Sequence, residues 1–401
     1  MSKKRKKEHL LWDKLLYSFC IIMVYLIGQN IPLYGVERAS GQENTINAQT
    51  VLLQSLTGDS KNTSIFILGL WPYMMSSMIV TVAVAFLSLD RSRKISPKKI
   101  NHVTLFGAIL ITVIEVALRL EEFSYRTSGS ALLLVKGIVC AQLITGMFIV
   151  IYLCDRMAKH GIGGRTTIFL VNMIGSVMTM FTGLPIKELV LPCVMGVLGI
   201  VLMLVLEMTE KRILVQRVSI NNLHAEKNYI AYKLNPVGVM PLMFSSVVFL
   251  LPQFLCSVLE EIFPKQDAIR WFAENMTLTK PLGIAVYMGI VVALTISFSF
   301  LILTPEAAAE DLLKAGDSIL NIYAGKQTKR YLKRCVLSFS LISAIVLAVC
   351  QGGTLFLQFK GYLSEQVVML PCTMMMLTGM WIAIYREAVV YRDRDRYKPF
   401  V

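Results

Sequence analysis

The chain has 401 residues, of which 55% are hydrophobic and only 16% charged, and its formal net charge is +14. Soluble domains carry about 25% charged residues, so this composition excludes an ordinary water-soluble fold. A bundle of lipid-facing helices can accommodate so much apolar surface, because each helix satisfies its own backbone hydrogen bonds. The apolar runs are continuous rather than alternating with a period of two, which favours helices over a membrane β-barrel.

Ten apolar runs approach or exceed the length that a helix needs to cross a bilayer. In chain order the predicted spans are 11–33, 65–87, 102–120, 131–153, 166–184, 189–208, 237–258, 282–303, 335–352 and 366–385. Five spans followed by five more would have opposite orientations, as inverted repeats require. We therefore expect an all-α polytopic membrane protein of about ten transmembrane helices in two pseudo-symmetric five-helix halves, 1–184 and 185–401.

Basic residues are concentrated on one side of these spans. Thirty of the 40 Lys and Arg lie in the segments 1–14, 88–101, 154–165, 209–235, 304–334 and 386–401. The positive-inside rule assigns that side to the cytoplasm, together with both termini. Membrane topology accounts for the positive charge, so the charge does not indicate a nucleic-acid partner.

Two cytoplasmic loops, 209–235 and 304–334, are longer than topology alone requires. In the second loop, Thr304-Pro305-Glu306 is a plausible helix cap and first turn, and a helix-forming stretch continues to Ala315. Gly316 and Gly325 interrupt the remainder of that loop. Long loops with internal structure usually bind a partner.

An apolar patch interrupts the long polar segment 35–64 on the opposite side. It consists of Val51, Leu52, Leu53 and Leu56. These side chains would be out of place on an isolated surface loop. We expect a short amphipathic helix here that packs its apolar face back into the membrane protein.

The spans contain few groups that could do chemistry. Glu115 is the only acidic residue clearly inside a span, which argues against a proton pump. There is no intramembrane Asp pair, Ser/His dyad or HExxH motif, and the eight cysteines are scattered. We therefore expect no catalytic residues, no metal site, no cofactor and no enzymatic activity.

A secondary transporter for a small solute is the alternative from another functional class. Such proteins bind at the midplane between broken helices. Gly69 with Pro72, and Gly238 with Pro241, could supply the breaks. Coupling groups, however, are scarce.

Six ordered motifs resemble those of SecY, the pore subunit of the protein-translocation channel, and together they cover essentially the whole chain. They are Ile31-Pro32 with Gly35, the stretch SIFILGLWPY at 64–73, GIGG at 161–164, EKRILV at 210–215, KLNPVGVMP at 233–241, and Thr304-Pro305-Glu306 with Ala309, Glu310 and Leu313. The resemblance implies a single channel domain spanning 1–401 that exports unfolded preproteins across the bacterial plasma membrane.

Two departures from the family pattern indicate a subtype. The fifth-span motif reads GIGGRTT where the family has GIGNGIS, and Tyr323 stands where housekeeping members carry an arginine important to their SecA motor. These features, with the short chain, resemble the accessory SecY of Gram-positive bacteria. That subtype implies an accessory SecA-type ATPase, large serine-rich glycosylated adhesins as cargo, and small partners that are SecE-like, SecG-like or accessory subunits.

The resemblance implies an hourglass pore whose waist is a ring of apolar side chains from spans two, five, seven and ten. By motif position its members are Leu70 and Met74, Ile174 and Met178, Val247 or Val248, and Met374 or Met375. Residues 50–57 resemble the plug that closes the pore. A narrow apolar waist blocks ions by dewetting, and flexible methionines would make it a soft seal.

The same resemblance implies further roles. Spans two and seven would form a lateral gate towards lipid, with Ser76, Ser77, Ser245 and Ser246 on them and with Glu115 as a polar gate residue. The motor would dock on the two cytoplasmic loops through Lys211, Arg212, Arg217, Tyr323, Lys326, Lys329 and Arg330. An aromatic side chain at position 323 cannot supply the bidentate charge of arginine.

Overall fold

The computed structural model describes residues 10–36, 63–88, 96–126, 131–181, 185–217, 228–262, 271, 275–320 and 322–396. Helices dominate these ranges, in the order α1 Leu10–Gln29, α2 Trp71–Ser88, α3 Pro97–Glu122, α4 Ala131–His160, α5 Gly164–Phe181, α6 Ile186–Met208, α7 Met240–Ile262, α8 Pro281–Leu303, α9 Pro305–Ala315, α10 Lys326–Phe359 and α11 Leu370–Arg396. Three strands are described, β1 Glu210–Arg217, β2 Tyr229–Lys233 and β3 Asp317–Ile319.

The ten predicted spans each coincide with one described helix of at least 18 residues, which confirms the all-helical membrane fold. Spans one to eight are α1 to α8, span nine is α10 and span ten is α11. Within the described residues, six helices are long and apolar enough, by length and composition, to cross a membrane: α1, α3, α4, α6, α8 and α10. The other four, α2, α5, α7 and α11, contribute 18 of the 39 buried residues in the central cluster of the described residues.

Several predicted helix ends were wrong. Span two was predicted from residue 65, but 65–70 form turns and the helix begins at Trp71. Gly69 adopts a positive φ of 51°, which a continuous right-handed helix does not allow. The two shortest predicted spans, 102–120 and 335–352, are parts of longer helices, because α3 has 26 residues and α10 has 34.

The helix predicted to begin at Thr304-Pro305-Glu306 and to continue to Ala315 is α9. Gly316, just after α9, and Gly325, just before α10, both have a positive φ. Thr304 occupies the predicted cap position before α9, but its side chain does not contribute to the cap. Thr304 has a φ of 36°, its side chain makes no capping hydrogen bond, and its backbone N–H donates to the Phe300 carbonyl at 3.1 Å. Thr304 therefore serves as the corner between α8 and α9.

The two long loops meet in one antiparallel sheet of order β2-β1-β3. Lys211 of β1 is opposite Tyr232 of β2, and Arg217 is opposite Asp317 of β3. The sheet, α9 and the first turns of α10 share a small core of their own, made of Ile213, Tyr232, Ala309, Ile319, Leu332 and Val336. We call the end of the bundle that carries this unit the sheet face.

Candidate functional site at the centre of the bundle

The largest buried cluster of the described residues lies where α2, α5, α7 and α11 converge. These are the four helices that the resemblance assigns to the pore waist. α11 packs against α5 and α6, and α2 touches α7. The sequence places these helices centrally because they are rich in methionine, phenylalanine and small residues, whose side chains fill irregular spaces between helices.

Most of the predicted waist residues belong to this cluster. Leu70, Met74, Val247 and Met375 are buried in it. The alternatives Val248 and Met374 are half-buried and pack against it. The structure thus brings together one or more candidates from three of the four helices.

The candidates from α5 are placed differently. Ile174 is 42% exposed and Met178 is 63% exposed, and neither contributes to the cluster. Met173 and Met180, on the other side of α5, are buried in it. The predicted roles of Ile174 and Met178 in the waist remain predictions.

A cavity of about 510 Å³ extends from the sheet face to this cluster. Leu70, Met74, Met243 and Phe244 form its apolar part. Its charged lining residues are Arg165, Glu207, Lys233 and Arg386. Because Glu207 and Lys233 adjoin the sheet in sequence, the charged part of the cavity lies toward the sheet face. We call this cavity, with its charged part and its apolar part, the vestibule.

An ion pair between a buried glutamate and a half-buried arginine lies at the rim of the vestibule. Glu207, at the end of α6, is only 6% exposed, and Nη1 of Arg386 donates to its Oε2 at 3.0 Å. Nη2 of Arg386 donates to the backbone carbonyl of the same glutamate at 2.7 Å. Such a forked arrangement fixes orientation as well as charge.

The motif KLNPVG folds beside this pair into a tight turn between β2 and α7. The Asn235 side chain donates Nδ2 to the Gly238 carbonyl at 2.9 Å and accepts from the Gly238 N–H at 3.2 Å. Gly238 has a φ of 70°, and a Cβ there would lie 2.9 Å from Oε1 of Glu207. Glycine is required at this position by both conformation and space.

The GIGG motif forms the turn between α4 and α5, and its backbone is hydrogen-bonded to side chains of α1 and α11. Ser18 of α1 accepts the Ile162 N–H through Oγ at 2.8 Å, and Glu387 of α11 accepts the Gly163 N–H at 3.0 Å. Gly163 and Gly164 both have positive φ, which explains why the motif is rich in glycine.

Arg165, which departs from the family pattern, connects three helices at the vestibule. Its Nη2 lies 3.2 Å from Oδ1 of Asp155 at the end of α4. Its guanidinium lies 4.3 Å from the ring centroid of Tyr73 near the start of α2. A guanidinium over a tyrosine face is an attractive cation–π arrangement.

The predicted gate residues are buried or partly buried. Ser76 donates Oγ to the Thr104 carbonyl at 2.6 Å and so connects α2 to α3, whereas Ser77 bonds within its own helix and lines the vestibule. Ser245 and Ser246 are buried and bond to the Leu242 carbonyl. Their function in a gate remains a prediction.

Glu115 is 5% exposed and forms an ion pair with Arg119 at 3.1 Å, one turn later on α3. The sequence alone did not identify Arg119 as the partner of this carboxylate. The plug residues Val51, Leu52, Leu53 and Leu56 lie outside the described residues.

The predicted motor-binding residues lie on the sheet face. Lys211 approaches the Phe339 ring, with Nζ 5.8 Å from its centroid. Arg212 pairs with Glu210 at 2.8 Å and lies over the Tyr229 ring at 4.9 Å, and its hydrogen bond to Glu210 raises the pKa of Arg212. Tyr323 is 82% exposed, so it is accessible to a partner.

Sequence reasoning missed two contributors to these sites. Arg386 was counted only as a topology signal, and Asn235 was noted only as part of a motif. The partner of Arg386 is 179 residues away in sequence, and no local signal identifies such a pair.

The described geometry defines a bundle of membrane-compatible helices with a vestibule at one end, and comparisons identify its family. The family model described as SecY matches residues 64–385. A protein of Streptococcus pneumoniae (strain ATCC BAA-334 / TIGR4), named accessory Sec system protein translocase subunit SecY2, is 29% identical, covering 96% of this chain and 97% of its own. A protein of Leuconostoc gelidum subsp. gasicomitatum with the same name is 26% identical over 97% of this chain and 96% of its own.

Solved structures agree in fold. One described as a protein-conducting channel superposes with a TM-score of 0.69 at 15% identity, covering 96% of this chain and 93% of that chain. Sec61 in the canine ribosome–channel complex gives a TM-score of 0.65 at 14% identity, with coverage of 96% and 93%. The chain belongs to the SecY family. It is accordingly a subunit of a protein-translocation channel.

Proposed function

We propose that this chain is the central pore subunit of an accessory-type channel through which an unfolded preprotein threads. The observation that carries the proposal is the vestibule that ends on the buried apolar side chains of α2, α7 and α11. An apolar constriction excludes water and ions when it is empty, yet it can deform around a passing peptide without binding it.

The motor is proposed to be an accessory SecA-type ATPase bound at the sheet face. The names of the relatives support the accessory subtype, and the exposed Tyr323 supports a changed motor contact. The cargo class proposed on the same basis is serine-rich glycosylated adhesins. Small SecE-like, SecG-like or accessory subunits would brace the bundle in the bacterial plasma membrane, with the sheet face and both termini in the cytoplasm.

A stalled export cargo tests this function. Photo-crosslinkers at Met74 and Val247 should capture the cargo when motor and ATP are present. A crosslinker at the exposed Val194 of α6 serves as the lipid-facing control and should not. If the stalled cargo crosslinks equally to all three positions, or to none, threading through this constriction is refuted.

A further inference from the structure

Five polar side chains that do not line the vestibule meet inside the bundle, where α7, α8, α10 and α11 pack together. Tyr287 of α8 and Gln351 of α10 are 0% and 2% exposed. The Gln351 amide donates Nε2 to Sγ of Cys372, in the first turn of α11, at 3.1 Å. The Tyr287 hydroxyl interacts with the same thiol. We call these three residues, together with Ser245 and Ser246 of α7, the polar junction.

Two polar atoms of the junction have no hydrogen-bond partner within the described ranges. They are Oη of Tyr287 and Oε1 of Gln351. Exchanging the two atoms of the amide would only leave its nitrogen unpaired instead of its oxygen. Buried polar groups are nearly always paired, because an unpaired one loses its hydration without compensation. Both side chains contact Cys372, so a single partner placed beside the thiol can satisfy both atoms.

The two hydroxyls of α7 face the same point. Ser245 and Ser246 are buried, and each interacts with the Tyr287 hydroxyl without making a hydrogen bond of ordinary geometry with it. Each serine donates its own proton to the Leu242 carbonyl, at 2.8 and 3.3 Å. The lone pairs of the serine oxygens therefore remain available as acceptors.

The junction offers one donor and several acceptors to a ligand. The donor is the O–H of Tyr287, and the acceptors are Oε1 of Gln351 and the serine oxygens. A ligand that accepts one hydrogen bond and donates two matches this set, and water does both. A cation would meet the same oxygens, but the five side chains are neutral, and burying a charge without a counter-charge is costly.

The packing around the junction leaves room for a small ligand only. Gly352, next to Gln351, brings α10 so close to α8 that a Cβ there would clash with Sδ of Met288. On the α7 side, the Phe249 ring packs edge-on against the Tyr287 ring, with centroids 5.4 Å apart. Closely packed interiors hold few voids larger than one water molecule, which favours water over a solute.

We propose that the polar junction binds one ordered water molecule, which connects α7 to α8 and α10. The water accepts a hydrogen bond from Tyr287 and donates to Gln351 and to one of the two serines. Internal waters make about three hydrogen bonds with groups that would otherwise be unsatisfied, and this arrangement supplies that number.

The water holds α7 within its own half of the channel. The four helices of the junction all belong to residues 185–401, and the described side-chain hydrogen bonds of α7 otherwise stay within that helix. Met243 and Phe244, which line the vestibule, directly precede the two serines. The water therefore fixes the segment of α7 that presents apolar side chains to the vestibule.

Hydroxyl-radical labelling of the full-length channel in nanodiscs tests this site, because X-rays generate radicals from water and label a buried side chain only when water lies beside it. We expect Cys372 to be oxidised although it is buried. The variant Tyr287→Phe/Gln351→Leu removes both unpaired atoms and should lose the labelling of Cys372. The control Ser340→Ala removes a buried hydroxyl elsewhere on α10 and should keep it.

Met147 sets the background for a buried sulfur atom, because it is 1% exposed and packs in an apolar cluster. If Cys372 in the wild-type channel is labelled no more than Met147, the proposal is overturned. Equal labelling of Cys372 in the double variant and in the Ser340→Ala control would overturn it as well.

A cryo-electron microscopy map that resolves ordered water gives a second readout, which needs no variant. We expect a peak within hydrogen-bond distance of both Oη of Tyr287 and Oε1 of Gln351. Direct contact between these two atoms, with no peak between them, would overturn the water site. A peak that appears with sodium in the buffer and disappears with choline would replace the water by a cation.

The water site and the proposed function fail separately, since the labelling uses the resting channel without motor or cargo. If stalled cargo does not crosslink to the constriction while Cys372 is labelled, only the proposed function fails. If the cargo crosslinks as expected and Cys372 stays unlabelled, only the water site fails.

Discussion

Arg386 of α11 holds Glu207 of α6 by both the side chain and the backbone, with donor–acceptor distances of 3.0 and 2.7 Å. The pair lies at the vestibule rim, next to the Gly238 turn that leads into α7. This glutamate thus joins α6 to α11 beside the turn that leads into α7. Their relative positions depend on it, which makes the pair a natural target for substitution.

Substituting Arg386→Gln should lower the stability of the channel by about 1–3 kcal/mol, because it leaves a buried carboxylate without its charged partner. The lower end applies if solvent screens the pair, since the arginine side chain is 38% exposed. Thermal unfolding in detergent measures the loss. The double variant Glu207→Gln/Arg386→Gln should recover part of it, and full additivity of the two single effects would show that the residues do not interact.

Replacing Gly238 by alanine should destabilise the turn into α7 by about 1–2 kcal/mol, because a Cβ at a φ of 70° is strained and meets Glu207 at 2.9 Å. Gly289, in the middle of α8, is the matched control. A Cβ there meets nothing within 4 Å, so Gly289→Ala should be neutral or stabilising by up to about 1 kcal/mol. Equal unfolding temperatures for the two variants would contradict this account.

The helices could be predicted from the sequence because a lipid bilayer requires long apolar segments. Which helices pack against each other could not be predicted in this way. The turn 65–70 is as apolar as α2 itself, so hydropathy alone did not place the start at Trp71. The sheet joins β1 to β3 across about a hundred residues, and no local pattern specifies that pairing. The waist candidates came from motif positions, and only packing separates Met74, which is buried, from Ile174, which is exposed.

Because Met74 is buried in the central cluster and Ile174 is exposed, glycine substitutions at the two positions should produce different ion leaks. Met74→Gly and Val247→Gly each remove a side chain from the buried cluster and should raise the conductance of the resting channel, since a wider, less apolar constriction stays wet. Ile174→Gly should raise it less, because Ile174 does not pack in that cluster. Planar-bilayer recordings measure the leak. A larger leak from Ile174→Gly than from Met74→Gly would place the constriction on the other side of α5.

Arg165→Gly, which restores the residue of the family pattern, should loosen the start of α2. It removes both the ion pair with Asp155 and the stacking on Tyr73, which together are worth about 1–2 kcal/mol. We expect more frequent spontaneous openings in single-channel recordings. Arg165→Lys, which keeps the charge but not the planar stacking, should have an intermediate effect.

Arg156 provides the control for Arg165. It lies over the Tyr152 ring at 5.1 Å on the exposed side of α4, away from the vestibule lining. Arg156→Gly should leave the opening frequency unchanged. If Arg156→Gly opens the channel as often as Arg165→Gly does, the increase in openings comes from losing any arginine and not from losing the contacts of Arg165 at the vestibule.

Tyr323→Arg should shift motor preference, because it exchanges an exposed aromatic side chain for the bidentate cation that housekeeping relatives are expected to carry. We expect the ratio of affinities for a housekeeping and an accessory motor to change by about fivefold or more in favour of the former, as altered contacts of a single interface residue commonly do. Tyr362, which is 70% exposed beyond the far end of α10, is the matched control, and Tyr362→Arg should leave the ratio unchanged. Equal binding of both motors to the wild-type and the Tyr323→Arg channels would show that position 323 does not discriminate between them.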